Sequence, residues 1–436
     1  MGEVIFGQTG ADLTYDIKLR SKNVYRDGEF QELELGIKDG KICSLGNNLV
    51  GARKEIDLDE KLLLPGIIDG HVHFREPGDT EKEGFGSGSR AALRGGVTTV
   101  VDMPNNKPPI KSPELFEKKV DLGRKKSLVN FGLYAGIPEE FALVGDIQKR
   151  GAMGFKHYMA EEALDLEELI GELEKYGSLF TVHAEDPHKV KPATKASTPE
   201  EYLDTRPSEA EIEAVKKLVS ISYGRLHIAH VTLPETLSII KGEATSEITP
   251  HHLLLSREDL DLKDYTPVCN PPIRDRDSVQ ELQKAFSRGR IDIIASDHAP
   301  HLRQEKLTSD PRKGMAGIPG VETILPLSLT FAHRNDIPLS LPIDMLTRKP
   351  AKLFRLEKRG VIREGYWADL TVVDARDKRV IRGEDFLSRA KVTPFEGTKV
   401  SFTPLMTFVN GEQKYRGGTV LSEEPGEFLR RGRDEE

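Results

Sequence analysis

The sequence is poor in cysteine. Its two cysteines, Cys43 and Cys269, lie far apart in the chain. Two distant thiols exclude the disulfide framework of a small secreted domain. They are typical of a protein from a reducing compartment.

Long apolar runs are also missing. No run approaches the ~20 residues that a membrane-spanning helix needs. The first residues, MGEVIFGQTG, lack the charged segment and apolar core of a secretory signal. We therefore expect a soluble protein with a cytoplasmic location and no membrane partner.

Neither sign of charge is in large excess. The 63 Lys and Arg residues oppose 71 Asp and Glu residues, for a net charge of −8. Acids and bases are mixed along the chain, so no basic stripe indicates binding to nucleic acid.

Two patterns divide the 436 residues. Residues 1–60 and 356–436 contain short alternating segments with Gly-containing turns, which predict antiparallel strands. Residues 61–355 alternate apolar runs with helical periodicity, which favours parallel βαβ units. We predict an α/β protein with a (β/α)8 TIM-like barrel and a discontinuous small β domain formed by both chain ends, the last of which also carries a tail. An open doubly wound sheet is the alternative, but no Gly-x-Gly-x-x-Gly follows the first strand.

The predicted barrel strands are eight apolar runs, at 62–70, 97–103, 130–136, 152–155, 179–184, 225–231, 246–249 and 291–295. Helical periodicity between them predicts helices over 161–177 and 208–220. Ser208 and Glu211 have the spacing of a capping box at the start of the second helix.

His71 and His73 end the first predicted strand, in PGIIDGHVHFREPG. Side chains two residues apart point to the same face of a strand. The two imidazoles therefore converge, and neutral imidazole is a preferred zinc ligand. The pair alone is weak evidence for a metal, so the rest of the chain must supply further ligands.

Further polar residues follow the later strands, at the barrel end where catalytic groups sit. Nine of the twelve histidines lie at or just beyond predicted strand ends. Singly, each has an ordinary interpretation as a histidine bonded to a backbone carbonyl, but together they indicate one functional face. The nine are His71, His73, His183, His227, His230, His251, His252, His298 and His301; we assign no role to His157, His188 and His333.

Lys156 lies inside the apolar fourth strand, in GAMGFKHYMA. A lysine is rarely buried without a partner. Either its ammonium pairs with an acid or reaches solvent, or CO2 has converted it to an anionic carbamate that can bridge two divalent ions. Asp297, in SDHAPH, can act beside zinc as ligand and proton shuttle. The alternative for Asp297 is that it caps a helix or orients a histidine.

These residues lie in motifs that resemble the dihydroorotases of the amidohydrolase superfamily, of the class I type with an HVHFREPG motif. The resemblance covers essentially the whole chain. The motifs are GIIDGHVHFREPG, GGVTTVVDMPNNKP, HAED, HVT, TPHHL, NPPIRD and SDHAPH.

The resemblance implies two Zn²⁺ per chain with a hydroxide between them. The implied ligands are His71, His73 and Asp297 for one ion and His183 and His230 for the other, with Lys156, N6-carboxylated by CO2, as the bridge. It also implies reversible cyclisation of N-carbamoyl-L-aspartate to L-dihydroorotate in de novo pyrimidine biosynthesis, with Asp297 as general acid and base. The implied substrate-binding residues are His73, Arg75, Asn105, Asn270, His301, Ala316 and Gly317, where the last two close the pocket.

Related activities are the main alternative. A GFK segment is also typical of allantoinases, and many dihydroorotases with this motif carry Asp where Lys156 stands. Arg75 favours dihydroorotase over hydantoinase, because hydantoins and dihydropyrimidines offer no carboxylate to its guanidinium. A non-catalytic relative would usually lose metal ligands, and this chain retains them all.

The segment after His301 is long and polar, which predicts a mobile lid over 302–317. The sequence leaves two associations open. These are a homodimer through the β domain and outer helices, and docking with aspartate transcarbamoylase.

Overall fold

A computed structural model of the protein describes residues 3–5, 14–162, 164–221 and 223–432. Our expectation about a secretory signal concerns residues that lie mostly outside these ranges. Within them, no helix combines the length and apolar character that crossing a membrane requires.

Eight parallel strands form the barrel, each hydrogen-bonded to the next in chain order. They are β7 (Ile67–Val72), β8 (Val97–Asp102), β9 (Asn130–Gly136), β10 (Gly154–Tyr158), β11 (Phe180–His183), β12 (Leu226–Ile228), β13 (Thr245–Ile248) and β14 (Ile293–Ile294). The ring closes where Val72 forms a parallel bridge with His298, just after β14. The predicted (β/α)8 architecture is confirmed.

The helices lie between and after these strands. They are α1 (Phe85–Arg94), α2 (Pro113–Lys126), α3 (Val144–Lys149), α4 (Leu166–Lys175), α5 (Pro199–Leu203), α6 (Ser208–Ser220), α7 (Pro234–Ile240), α8 (Pro250–Leu254), α9 (Arg276–Ser287), α10 (Arg303–Lys306), α11 (Ile324–Arg334), α12 (Ser340–Leu346) and α13 (Arg348–Leu353). Several begin at a side chain that caps free backbone N–H groups: Ser112 accepts from Leu115, and Asp275 accepts from Ser278.

Strands from both chain ends build a second sheet, as predicted for the discontinuous β domain. From the N-terminal part come β1 (Glu3–Ile5), β2 (Tyr15–Arg26), β3 (Glu29–Lys38), β4 (Lys41–Gly46), β5 (Ala52–Asp57) and β6 (Leu62–Pro65). From the C-terminal part come β15 (Leu370–Asp374), β18 (Thr403–Val409), β19 (Glu412–Arg416) and β20 (Thr419–Val420), while β16 (Arg379–Val380) and β17 (Lys399–Val400) form a separate pair. The two ends join where β6 runs antiparallel to β15.

The prediction of one strand over 62–70 is wrong. Residues Leu62–Pro65 belong to the end sheet, and the first barrel strand begins at Ile67. Gly66 stands between them, where a Cβ would lie 2.2 Å from the Thr98 hydroxyl. Continuous hydrophobicity hides this break because both strands are buried.

The capping box at Ser208 and Glu211 is also not formed. The helix α6 begins at Ser208, so its N-cap is Pro207, which makes no side-chain cap. The Glu211 carboxylate is buried instead, and it accepts from the Thr232 backbone N–H at 3.1 Å and the Thr236 hydroxyl at 2.7 Å. It thereby ties α6 to the segment that follows β12.

Candidate metal and active site

Three ligand-type side chains meet where β7 and β14 end. His71 lies in β7, His73 follows it, and Asp297 follows β14. The Asp297 Oδ1 is 3.3 Å from His71 Nε2 and 3.0 Å from His73 Nε2. All three side chains are buried, and their ligand atoms lie within 4.8 Å of one another. Two imidazoles and a carboxylate at this spacing fit one divalent cation.

Other side chains orient both imidazoles. His71 Nδ1 is 2.5 Å from Oε1 of Glu247, and His73 Nδ1 is 2.7 Å from Oδ1 of Asn105. When Nδ1–H donates to these oxygens, each Nε2 keeps a free lone pair toward the shared carboxylate. Such outer partners fix the tautomer and the orientation of metal-binding histidines.

A second group of ligand-type side chains comes from strands four to six of the barrel. Lys156 lies in β10, His183 ends β11, and His230 follows β12. The rings of His183 and His230 have centroids 4.6 Å apart, and His230 is 5.4 Å from His71. The two groups therefore adjoin.

Lys156 is buried in this second group, with 1% of its surface exposed. Its Nζ has no hydrogen-bond partner among the described residues, and it lies 5.3 Å from the ring centroid of Tyr158. Burial lowers the pKa of Lys156 to about 8. The Lys156 side chain forms no ion pair with an acid of the described residues and does not reach solvent, so those two interpretations do not describe this structure.

Two of these residues have backbone conformations that L-residues rarely adopt. The φ angle is 34° at His230 and 44° at Asp297. Such a conformation costs roughly 1–3 kcal/mol, so the surrounding structure must hold both residues in place.

Protonation states at the site suit metal ligation. Burial lowers the pKa of His73 to about 3 and that of His230 well below its usual value. Burial alone would raise the pKa of Asp297, but the neighbouring imidazoles of His71 and His73 hold it well below its ordinary value. Neutral imidazole and ionised carboxylate are the forms that bind metal ions.

A cavity of about 240 Å³ opens above both groups. Its lining brings together every predicted substrate-binding residue with five of the six predicted metal ligands. It is lined by His71, His73, Arg75, Asn105, Tyr158, Glu161, His183, Arg206, His230, Asn270, Asp297, Ala299, His301, Met315, Ala316 and Gly317.

Arg75 contributes a cation to this cavity. Its Nε is 3.4 Å from the Pro300 carbonyl oxygen, and its terminal nitrogen is 3.2 Å from His301 Nε2. Neither contact is to a carboxylate, so the guanidinium keeps its charge available for an anionic ligand. Burial lowers the pKa of His301 to about 4, which leaves that ring neutral.

The far wall of the cavity is held by hydrogen bonds within the protein. The amide of Asn270 donates to the Tyr202 hydroxyl at 3.1 Å. The N–H of Gly317 donates to the Val268 carbonyl at 2.9 Å, and the Ala316 carbonyl lies 3.0 Å from His301 Nε2. The segment that closes the cavity is thus held by Val268 on one side and by His301 on the other.

Comparison with known proteins identifies the family of this chain and several relatives. The amidohydrolase family matches residues 62–414 of the chain. The chain belongs to the amidohydrolase family. Two archaeal proteins named dihydroorotase resemble it: that of Methanosarcina acetivorans is 36% identical over 95% of both chains, and that of Methanothermobacter thermautotrophicus is 37% identical over 93% of this chain and 96% of its own.

Other relatives of this amidohydrolase have different names. A protein named allantoinase from Rubrobacter xylanophilus is 34% identical over 96% of this chain and 98% of its own. Among solved structures, an L-hydantoinase (dihydropyrimidinase) from Arthrobacter aurescens has a TM-score of 0.90 and 27% identity, covering 96% of this chain and all of that one.

Four of the nine histidines singled out in the sequence do not line the cavity. His227 contacts Thr245 and Glu247, and His298 Nδ1 accepts from the Gly320 N–H at 3.1 Å. The other two, His251 and His252, are buried beside each other on α8. These four histidines therefore lie outside the cavity, although His251, His252 and His298 also follow barrel strands.

Two functional candidates in this amidohydrolase, Glu247 and Glu185, were not predicted from the sequence. Glu247 touches His71, and Glu185 lies 2.5 Å from His183 Nε2 while it pairs with Arg206. An acid inside the apolar strand SEITP and the Glu of HAED were the available signals. The role of Glu247 depends on a contact between distant barrel strands, which spacing along one strand does not predict. Glu185, by contrast, contacts a histidine only two residues away, so the spacing in HAED could have predicted it.

Proposed function

We propose that this amidohydrolase is a dihydroorotase, which catalyses reversible cyclisation of N-carbamoyl-L-aspartate to L-dihydroorotate in de novo pyrimidine biosynthesis. The observation that carries the proposal is Arg75, a cavity cation that pairs with no carboxylate of the described residues and lies beside a set of metal ligands. The substrate supplies the missing carboxylate. The two relatives named dihydroorotase support the same activity.

The residues present fit two zinc ions. We assign His71, His73 and Asp297 to one ion, His183 and His230 to the other, and N6-carboxylated Lys156 to both. Because Glu185 engages His183 Nε2, Nδ1 is the nitrogen left for the metal. When bound, two such ions polarise an amide carbonyl and lower the pKa of a bound water.

Asp297 moves the proton in this scheme. Its carboxylate is ionised and lies at the cavity floor, so it can accept a proton from the attacking water during ring opening. It then donates that proton to the ring nitrogen that leaves. Ring closure follows the reverse path, in which Asp297 first takes the proton from the amide nitrogen.

Arg75 positions the substrate. A guanidinium can bind a carboxylate through two parallel N–H···O bonds, which fixes orientation as well as affinity. His301 lies against Arg75 and Asn105 against His73, so both can add a contact to the same anionic group. This assigns one wall of the cavity to the carboxylate and the floor to the reacting amide.

The deciding experiment measures ring opening of dihydroorotate, allantoin and dihydrouracil by the zinc-loaded protein in parallel. Selective turnover of dihydroorotate is the expected result. Turnover of allantoin would favour the activity named for the Rubrobacter relative and would overturn the proposed substrate.

The variant Arg75→Met tests the residue that carries the proposal. We expect KM for dihydroorotate to rise about 10- to 100-fold, the range for a lost charge-assisted hydrogen-bonded pair. Any residual turnover of dihydrouracil, which has no carboxylate, serves as the matched control and should not fall. An equal loss of activity on dihydroorotate and dihydrouracil would show that Arg75 does not bind the substrate carboxylate.

Five expectations stay predictions. They are the domain limits, a mobile lid over 302–317, a homodimer, docking with aspartate transcarbamoylase and a cytoplasmic location.

A further inference from the structure

We propose that His251, His252 and Cys269 form an additional metal site, distinct from the catalytic centre, for a thiophilic divalent cation such as Zn²⁺. All three side chains are buried, and each offers one ligand atom within 4.8 Å of the other two. His251 and His252 lie on α8, directly after β13, whereas Cys269 precedes Asn270 in a distant loop.

Two of the ligand atoms already have the spacing of zinc ligands. Cys269 Sγ is 3.7 Å from His252 Nε2. Around a tetrahedral zinc with Zn–S of about 2.3 Å and Zn–N of about 2.0–2.1 Å, sulfur and nitrogen stand roughly 3.6 Å apart. The pair therefore needs no rearrangement of the backbone to hold one ion.

The third ligand is a side chain with an unused nitrogen. His251 Nε2 is buried and has no hydrogen-bond partner among the described residues. An orphaned buried nitrogen costs free energy, roughly 1–3 kcal/mol. Turning this ring toward a cation breaks no hydrogen bond at Nε2 and gives that nitrogen a partner.

Thr249 can stabilise the ligating tautomer of His252, whereas Pro271 stabilises the other tautomer. His252 Nδ1 is 2.8 Å from the Thr249 hydroxyl, which can accept an Nδ1–H and leave Nε2 unprotonated. Nε2 now lies 2.9 Å from the Pro271 carbonyl, so metal binding shifts the ring proton from Nε2 to Nδ1. This shift costs the hydrogen bond to Pro271.

The thiol proton leaves when the metal binds. Burial raises the pKa of the Cys269 thiol to about 12, and the Asp297 carboxylate acts in the same direction, whereas Lys306 acts in the opposite one. The balanced step is therefore M²⁺ plus thiol giving a metal thiolate and one released proton. The ion would link α8 to the loop that carries Asn270. Asn270 lines one wall of the catalytic cavity.

Cobalt substitution of the full-length protein tests the site independently of the proposed activity. Co²⁺ bound to a thiolate gives a sulfur-to-metal charge-transfer band in the near ultraviolet. The catalytic ligands contain no sulfur, and the sequence has two cysteines. We expect the wild type to show the band and to bind one more metal equivalent than Cys269→Ser.

The matched control is Cys43→Ser, because Cys43 is the other cysteine and is exposed on β4. It should keep both the band and the extra equivalent. A band lost in Cys43→Ser instead would overturn the proposal by placing the thiolate at the surface.

X-ray absorption of the zinc-loaded wild type needs no variant and so does not depend on how Cys269→Ser folds. A sulfur neighbour at about 2.3 Å from zinc is expected. A purely nitrogen and oxygen shell at full metal loading would overturn the site.

Discussion

The two halves of the candidate metal centre differ in how far the protein itself orients them. In the first half, His71, His73 and Asp297, each side chain contacts another protein group at 3.3 Å or less. In the second half, Lys156, His183 and His230, only His183 has such a partner. Lys156 Nζ and His230 Nδ1 are buried and without hydrogen bonds in the described part of the chain.

This difference indicates how the centre assembles. A buried polar atom without a partner costs roughly 1–3 kcal/mol, and a metal or a carbamate removes that cost. The first half is therefore preorganised by the protein. The second half is complete only when a metal ion or the carbamate on Lys156 is present. We expect carboxylation of Lys156 and metal binding at the second half to be coupled.

The largest effect should come from Lys156→Ala, which removes the proposed bridge between the halves. We expect activity to fall to background and metal to be lost, from the second half first. Short carboxylic acids such as acetate should partly restore both, because they can occupy the space of the carbamate. Metal content and ring-opening rate are measured with and without acid, and the wild type with acid is the control. Two bound ions without added acid would contradict the bridge.

Asp297→Asn should have the next largest effect, on rate rather than assembly. The amide keeps an oxygen for the metal but cannot accept the proton, so kcat should fall by about 10²–10⁴-fold. Metal analysis should show most of the metal retained. Near-normal turnover would exclude Asp297 as the general base.

Glu247→Gln tests the orientation of the first half. Glu247 is buried and lies 2.5 Å from His71 Nδ1, so we expect the affinity for the first ion to fall by about 10–100-fold. Glu185→Gln is the matched change in the second half, because Glu185 also lies 2.5 Å from a ring nitrogen, Nε2 of His183. Competition with a chelator measures both. If each variant lowered the affinity for both ions equally, Glu247 and Glu185 would not orient the two halves independently.

Contacts within one strand can be predicted from the sequence, whereas contacts between distant strands cannot. His71 and His73 are predictable because residues two apart share a face of one strand. Glu247 is not, because its contact with His71 joins two barrel strands, β7 and β13, that are not neighbours in the sheet. Hydrophobicity likewise predicts that 62–72 is buried but does not locate the break at Gly66. That break depends on contacts with Thr98 and with Asp369, both distant in the chain.

Asn105 should give the smallest effect and the sharpest separation of roles. Its Oδ1 accepts from His73 at 2.7 Å, but the residue is exposed, so its loss removes about one ordinary hydrogen bond. Asn105→Ala should lower the affinity for the first metal ion by roughly 5- to 10-fold, since such a bond contributes about 1 kcal/mol.

Asn105→Asp keeps the acceptor for His73 but loses the amide donor and places a negative charge beside the substrate carboxylate. Asn105→Asp should therefore retain metal and raise KM for dihydroorotate, whereas Asn105→Ala should affect both. Metal titration and KM measured on the same preparations distinguish the two roles, and metal loss in Asn105→Asp would show that Asn105 does not act on His73 through its oxygen.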